Sequence, residues 1–438
     1  MKRDISLYLE KWKRSHRRKP LILNGARQVG KTYSLKHFGQ ANYEKMAYLN
    51  FEKDEKLAQY FKNTLDSKQL IKMLSIHTDV QIEPHNTLLI FDEIQECPKA
   101  LNSLKYFCED ANEYHIASAG SLLGVKTAQE KGFPVGKVNF LHLYPLNFFE
   151  FLSATNNEKL REFLEKYSSF EPIANPLHEK LIQLLKLYLF IGGMPEAVAE
   201  YANHENLKVI REIHLEILSA YERDFAKHAP SHEIMKITTV WKLIHRQLAK
   251  ENKKFIFSAI RKSARGRDYE EAFQWLADAG LIHKSYYVKT PKFPLSAYAN
   301  NNIFKIFLID VGLLGAQSNL SAKTLIDGNL LFTEFKGSLT ENFIAQELVA
   351  RQKKLYYWAS SGTAEVDFLI ETDHEIYPLE VKGGNSKKKK SLLVYNKKYL
   401  PSKLIRASLM NLKHDGNISN FPLYFISFFL KSIDQEKD

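Results

Sequence analysis

The chain has 438 residues, 45% hydrophobic and 26% charged, a composition that suits folded protein and argues against disorder. That length exceeds what one hydrophobic core usually supports, so several compact units are expected. A formal charge of +12 favours a polyanionic partner such as nucleic acid, while the two cysteines, Cys97 and Cys108, are too few for a disulfide framework or a cysteine-based metal site and suit a reducing, cytoplasmic setting.

Along the chain, residues 1–155 alternate strand-like and helix-like segments, the pattern of an α/β core with helices on both faces of a parallel sheet. The apolar run Pro20 to Asn24 reads as a strand and leads directly into Gly25, Ala26, Arg27, Gln28, Val29, Gly30, Lys31 and Thr32. This is GxxxxGK[ST] in the context a P-loop requires. Glycines permit the backbone angles and close approach needed to wrap phosphates, and the loop amides plus the following helix N-terminus supply positive potential. Lys31 is expected to reach the β- and γ-phosphates of ATP, and Thr32 to offer its hydroxyl to Mg²⁺.

Thr87 to Phe91 reads as a buried parallel strand ending in Asp92 and Glu93, the placement of a Walker B pair. Asp92 would hold the magnesium shell and Glu93 would orient or deprotonate the attacking water. A third apolar segment, Tyr114 to Ala117, runs into Ser118 to Ser121, and Ser121 is the candidate sensor of the γ-phosphate.

Residues 156–250 carry helical spacing, with a break at Gly192 and Gly193. Residues 251–335 hold an amphipathic helix, Tyr269 to Asp278, and strand-like pieces at Ser285 to Lys289 and Lys305 to Ile309, a pattern that suits a winged helix. Arg261, Lys262, Arg265 and Arg267 would then lie near a DNA groove; the alternative is a solvated charged face. His228 and His232 flank a proline and have no third ligand nearby in sequence, so a histidine metal site is not expected.

Residues 336–438 begin with helical spacing from Ser338 to Arg351, carrying Glu341, followed by strands at Leu355 to Trp358, Glu365 to Ile370 and Ile376 to Lys382. Glu380 and Lys382 stand two apart and share a strand face. If the last two strands form a hairpin, Asp367 falls nearly opposite Leu379 and Glu380. Glu341, Asp367 and Glu380 would hold Mg²⁺ or Mn²⁺, and Lys382 would position water and stabilise negative charge. The competing reading is a solvent-facing Glu–Lys pair on an edge hairpin. Lys387 to Lys390 could contact phosphates or stay hydrated.

Together the segments Gly25 to Thr32, Leu89 to Gln95, Leu143 to Leu152 (LYPLNFFEFL), Ile191 to Glu196 (IGGMPE), Glu365 to Phe368 and Leu379 to Lys382 carry a resemblance over nearly the whole chain. The chain resembles a bacterial and archaeal group of AAA-type ATPases with a C-terminal domain of unknown function related to PD-(D/E)XK nucleases. The resemblance implies a P-loop core, a helical lid over 156–250, and a restriction-endonuclease-like α/β domain over 336–438. It assigns Asp367 and the Glu380–Lys382 pair to the nuclease motif, with Glu341 as the helical acid. Where such proteins often carry Gly-Arg, this chain has Gly136 and Lys137, which puts an arginine finger there in doubt; Arg223 is another candidate donor.

The expected function is ATP hydrolysis that controls a metal-dependent nuclease-like domain acting on nucleic acid, DNA ahead of RNA. The alternatives are an ATP-gated nucleic-acid-binding regulator without cleavage and a protein-remodelling ATPase. A homo-oligomer is allowed for. No uncharged apolar run reaches about 18 residues, so no membrane partner is expected.

Overall fold

The computed structural model describes residues 1–121, 133–248, 266–322, 333–362, 364–384 and 389–435. Two compact units emerge, one of Met1–Tyr144 with Asp278–Gly280, the other of Pro145–Ala277 with Leu281–Asp438.

The first unit is built on five parallel strands in the order β2 (Lys45–Asn50), β3 (Thr87–Asp92), β4 (His115–Ala119), β1 (Leu21–Asn24) and β5 (Asn139–His142). Every residue of β3 is buried, as a strand covered on both faces must be, and its apolar run TLLIF satisfies that demand. The helices Leu57–Asn63, Ser67–Thr78 and Pro98–Asp110 seat Phe61, Leu70, Leu104 and Phe107 in a core with Leu89 and Phe91. Phe51, Phe61 and Phe91 meet edge to face at 5.5–5.8 Å, the arrangement that ring quadrupoles favour. The register sets Asn50 beside Asp92 and Asp92 beside Ala119, so the polar strand ends share one edge of the sheet.

The second unit opens with Phe148–Ala154, a helix closed at its start by a capping box in which Asn147 and Glu150 satisfy each other's backbone amides. Its rings pack on Tyr188, at 5.8 Å from Phe148 and 5.3 Å from Phe151. The glycine pair of the IGGMPE segment has a steric reason. A Cβ on Gly193 would lie 2.0 Å from the Leu146 carbonyl oxygen, and one on Gly192 would lie 2.2 Å from Asp310 Oδ1. Gly193 N donates to Asp310 Oδ2 at 2.6 Å, and Leu146 N donates to the Gly193 carbonyl at 2.7 Å. Burial pushes the Asp310 carboxyl up to about 6 in spite of the Gly193, Leu313 and Gly312 amides that bond to it.

Helices continue through Asn175–Ile191, Pro195–His204, Leu207–His228 and Ile234–Leu248. The amphipathic helix expected over Tyr269 to Asp278 is Glu270–Asp278, preceded by a 3₁₀ turn at Gly266–Tyr269. An eight-stranded mixed sheet then runs β12 (Lys413–Asp415), β13 (Ile418–Pro422), β11 (Leu404–Ser408), β10 (Ile376–Val381), β9 (Glu365–Glu371), β8 (Tyr356–Ala359), β6 (Ile282–Val288) and β7 (Ala299–Leu308). The strand-like pieces near 285 and 305 are therefore an antiparallel ribbon, β6 with β7, joined to β8 by a parallel pairing. The sheet crosses residue 335, where sequence reading divides the middle segment from the C-terminal one. Its curl brings Phe307 of β7 to 5.4 Å from Phe368 of β9. Arg261, Lys262, Arg265, Lys387 and Lys388 lie outside the described residues.

Candidate active sites

The loop between β1 and the helix Lys31–Asn42 has the backbone that phosphate wrapping requires. Gly25, Gln28 and Gly30 take φ of 154°, 63° and 93°, and a side chain at Gly25 would strike the Leu143 carbonyl at 2.3 Å. Val29 is held from outside, its carbonyl accepting from Arg3 Nη1 at 3.0 Å while Arg3 Nη2 reaches the Tyr144 carbonyl at 2.6 Å. Lys31 Nζ folds onto the carbonyls of Gly25 at 2.9 Å and Ala26 at 2.7 Å. Burial pulls its pKa down to about 8, against the opposing pull of Glu93 and Asp92. A desolvated ammonium hydrogen-bonded to neutral carbonyls suits an anionic ligand such as a triphosphate.

Thr32 Oγ1 donates to Asp92, at 3.0 Å from both carboxylate oxygens. The hydroxyl and carboxylate that would hold Mg²⁺ are thus already together. Asp92 also accepts from Tyr48 at 2.6 Å and Asn50 at 3.4 Å, two residues of β2 that sequence reading missed because nothing local marks them. Burial and this bond to Asp92 push the Tyr48 phenol up to about 12. Glu93 sits in the left-handed region at φ 50°, an uncommon setting for a non-glycine residue. Gln95 Nε2 holds its Oε2 at 2.5 Å, and Ser121 Oγ approaches the same oxygen at 3.4 Å while accepting from Arg27 Nε at 3.1 Å. Arg27, Glu93 and Ser121, drawn from three separate segments, form one chain.

Lys137 pairs with Glu109 at 2.9 Å. Arg223 donates to Ser219 one turn back on its own helix at 3.3 Å, and Arg267 lies exposed 4.0 Å from Asp268.

In the second unit, Asp367, Glu380 and Lys382 are brought near one another by strand pairing. Leu379 pairs with Phe368 across β10 and β9, and the same antiparallel register carried one step on sets Glu380 opposite Asp367. Asp367 Oδ2 accepts from Val381 N at 2.7 Å. Lys382 Nζ lies 2.8 Å from Glu380 Oε1, and Glu380, only 3% exposed, has no hydrogen-bond partner for Oε2 among the described residues. Burial raises the Glu380 pKa although Lys382 opposes it. Burial depresses Lys382, but Asp367 and Glu380 outweigh that and hold it above its ordinary value.

A second lysine, unseen by sequence reading, enters from β7. Lys305 is fully buried, 2.5 Å from Glu365 Oε1 and 4.8 Å from the centre of the Tyr357 ring. Burial lowers its pKa; Glu365, Glu341 and Asp367 reverse the effect and hold it well above the ordinary value. Glu341, Glu365, Asp367 and Glu380 thus act on Lys305 and Lys382, with Arg406 as a further cation beside Glu380, and the remaining negative charge suits a divalent cation, with the unpartnered Glu380 oxygen as one ligand atom.

Among the described residues, a trio of ligand atoms within 4.8 Å of one another occurs at His232, Glu233 and Glu271, not at Glu341, Asp367 and Glu380. His228, the other histidine of the sequence pair, is not part of that group, and Glu271 comes from a later helix. That group is largely exposed, and Glu233 is already paired with Lys236 at 2.5 Å.

Residues 17–152 match the AAA domain family; residues 182–324 and 336–425 match two domains of unknown function, DUF8612 and DUF4143. No curated protein matches. Among solved structures, the chain is similar to a Walker-type ATPase of Pyrococcus abyssi, at 13% identity and a TM-score of 0.45, covering 72% of this chain and 94% of that one. It is also similar to the Aeropyrum pernix ORC1 protein in complex with DNA (13% identity, TM-score 0.29, 72% and 90% covered). A third likeness is to the Thermotoga maritima RuvB Holliday junction branch migration motor (14% identity, TM-score 0.26, 66% and 87% covered). The AAA-domain match spans β1, the P-loop, β3 and Ser121, so this region is an AAA-type P-loop ATPase domain. No described helix is long and apolar enough to cross a membrane.

Proposed function

We propose that the protein hydrolyses ATP at Lys31, Thr32, Asp92 and Glu93, and that its nucleotide state controls a metal-dependent nuclease-like site acting on nucleic acid, DNA ahead of RNA. The observation that carries the first part is the Thr32 hydroxyl fixed at 3.0 Å from the Asp92 carboxylate, beside a buried lysine that donates to the loop carbonyls of Gly25 and Ala26. Lys31 and the loop amides would bind the β- and γ-phosphates, and Thr32 with Asp92 would hold Mg²⁺, which when bound neutralises phosphate charge. Glu93, oriented by Gln95, would align water for attack, and Ser121 would report the γ-phosphate to Arg27. Residues 156–250 would serve as the lid, with a winged-helix-like module over 251–335.

The second part is supported by the placement of Asp367, Glu380 and Lys382, and by Glu341 close enough to influence both lysines electrostatically. Mg²⁺ or Mn²⁺ there would polarise a phosphodiester, Lys382 would position water, and Lys305 would keep Glu365 from competing for the metal. Two observations favour a nucleic-acid-binding regulator instead: Asp367 Oδ2 is engaged by Val381 N, and among the described residues the three acids are not gathered into one ligand set.

Purified protein with plasmid, Mn²⁺ and ATP separates the two. Cleavage that disappears in Asp367→Ala and Lys382→Ala establishes the nuclease, and binding without cleavage establishes the regulator. For the ATPase, Glu93→Gln should bind nucleotide normally and turn over about 10²–10⁴-fold more slowly; wild-type turnover by that variant would refute the assignment.

A further inference from the structure

The ribbon β6–β7 has two faces, and only one serves the carboxylate site. Ser285 pairs with Lys305 on that inner face, whereas the neighbouring pair, Tyr286 with Phe304, points the other way because strand side chains alternate. Tyr286 is in turn the parallel partner of Tyr356 on β8. Tyr286 and Phe304 therefore lie side by side on the outer face with centroids 6.4 Å apart, and the row continues into Tyr356, which is buried in the core.

This row lies along a cavity of about 1140 Å³, above the roughly 300–1,000 Å³ of pockets that hold a drug-sized molecule. Tyr286 and Phe304 are half-buried in its wall, so their rings are held in place yet reachable. Phe273 supports Phe304 edge to face at 5.4 Å. The charged lining is one-sided: Arg267, Lys284, Lys353 and Lys354 face a single carboxylate, Glu270. Lys284 Nζ stands 5.6 Å from the centre of the Phe304 ring, placing a cation beside a stacking surface.

We infer that this outer groove binds a short stretch of single-stranded nucleic acid, its bases stacking on Tyr286 and Phe304 and its phosphates tracked by Lys284, Lys353 and Lys354. Aromatic rings alternating with cations are what an unpaired strand requires, since every base has a π-face and every linkage a charge. A duplex fits poorly, because its bases are stacked on each other and cannot reach rings recessed in a wall. A lone nucleotide would leave most of the cavity and two or more of the cations unused. The inference rests on the proposed function in taking nucleic acid as the polymer handled, and adds where and in what form it is held.

The test uses the full chain and a fluorescent 12-nucleotide single strand, a length within the roughly 4–16 nucleotides that single-strand folds cover. Tyr286→Leu and Phe304→Leu, chosen to preserve packing and accepted only with a wild-type unfolding midpoint, should each weaken binding about fivefold or more. Lys353→Gln combined with Lys354→Gln should lower the slope of log affinity against log salt by roughly 1.4, two phosphate contacts' worth on a single strand. A strand carrying 5-iodouracil should photocross-link to the peptides of β6 or β7, a readout that needs no variant. Single-strand affinity unchanged in all variants, with cross-links elsewhere, overturns the groove and leaves the proposed function standing. Equal affinity for a mononucleotide or for the duplex overturns the single-strand assignment alone. No nucleic-acid binding by the wild type removes both the inference and the reading beneath it.

Discussion

The two candidate sites both bury lysine among carboxylates, and the lysines respond in opposite ways. At the P-loop, Lys31 rests on neutral carbonyls and its pKa falls to about 8; in the second unit, Lys382 and Lys305 are gripped by carboxylates and theirs rise. Desolvation penalises the ammonium in all three, so the partner decides the sign. An ammonium whose hydrogen bonds go to neutral carbonyls, with Glu93 and Asp92 too weak to offset its burial, suits an added anion. A cluster whose acids outnumber its lysines describes a receptor for cations. On the proposed reading, the same residue type serves a phosphate cradle in one unit and a metal-type site in the other.

The sharpest way to break this contrast is Lys31→Ala, which should reduce ATP hydrolysis roughly a thousandfold. Lys31→Arg should fail to restore it, because a planar guanidinium does not fit a nest shaped for a compact ammonium. A steady-state assay yielding wild-type turnover for either variant would show that Lys31 is not waiting for phosphate.

In the second unit the contrast predicts a stability effect. Lys305→Met removes a buried cation from among carboxylates and should cost about 3 kcal/mol in urea unfolding, toward the low end for breaking a buried pair because Glu365 is 31% exposed. Adding Glu365→Gln should recover much of that loss; a double variant no better than the single one would mean that packing, not charge, explains Lys305.

The smallest effect is a proton. With its pKa near 8, Lys31 is largely neutral at about pH 9 in the free protein, and a triphosphate beside it favours the charged form. Nucleotide binding should therefore take up a fraction of a proton at about pH 9 and almost none at about pH 6.5. Titration calorimetry in buffers of different ionisation enthalpy measures this directly. Proton release at the higher pH would contradict the assigned sign.

What the sequence revealed follows from how local each feature is. The P-loop was readable because strand, loop and helix are contiguous, and the helix from Ser338 and the hairpin about 371–376 because their periodicities switch cleanly. Tyr48 and Asn50 stayed hidden, since only the register of β2 against β3 brings them to Asp92. Lys305 was invisible for a stronger reason: it lies 60 residues from Glu365, on a strand whose own pattern announces nothing but a ribbon. The reading of β6 and β7 as part of a separate module came from their spacing, whereas sheet membership is set by the parallel pairing of Tyr286 with Tyr356, a contact across about seventy residues.

That pairing bears on how this chain can be taken apart. A fragment starting at residue 336, where the C-terminal family match begins, would strip β8 of its parallel neighbour and Glu365 of its counter-ion. The bared strand would offer unpaired amides and carbonyls to other chains, and the orphaned acids would repel one another. Such a fragment should aggregate, or else soak up stray divalent ions to replace the missing ammonium. Any graft of this acidic site onto another scaffold must carry the ribbon from Ile282 with it, so the portable unit is larger than sequence families suggest.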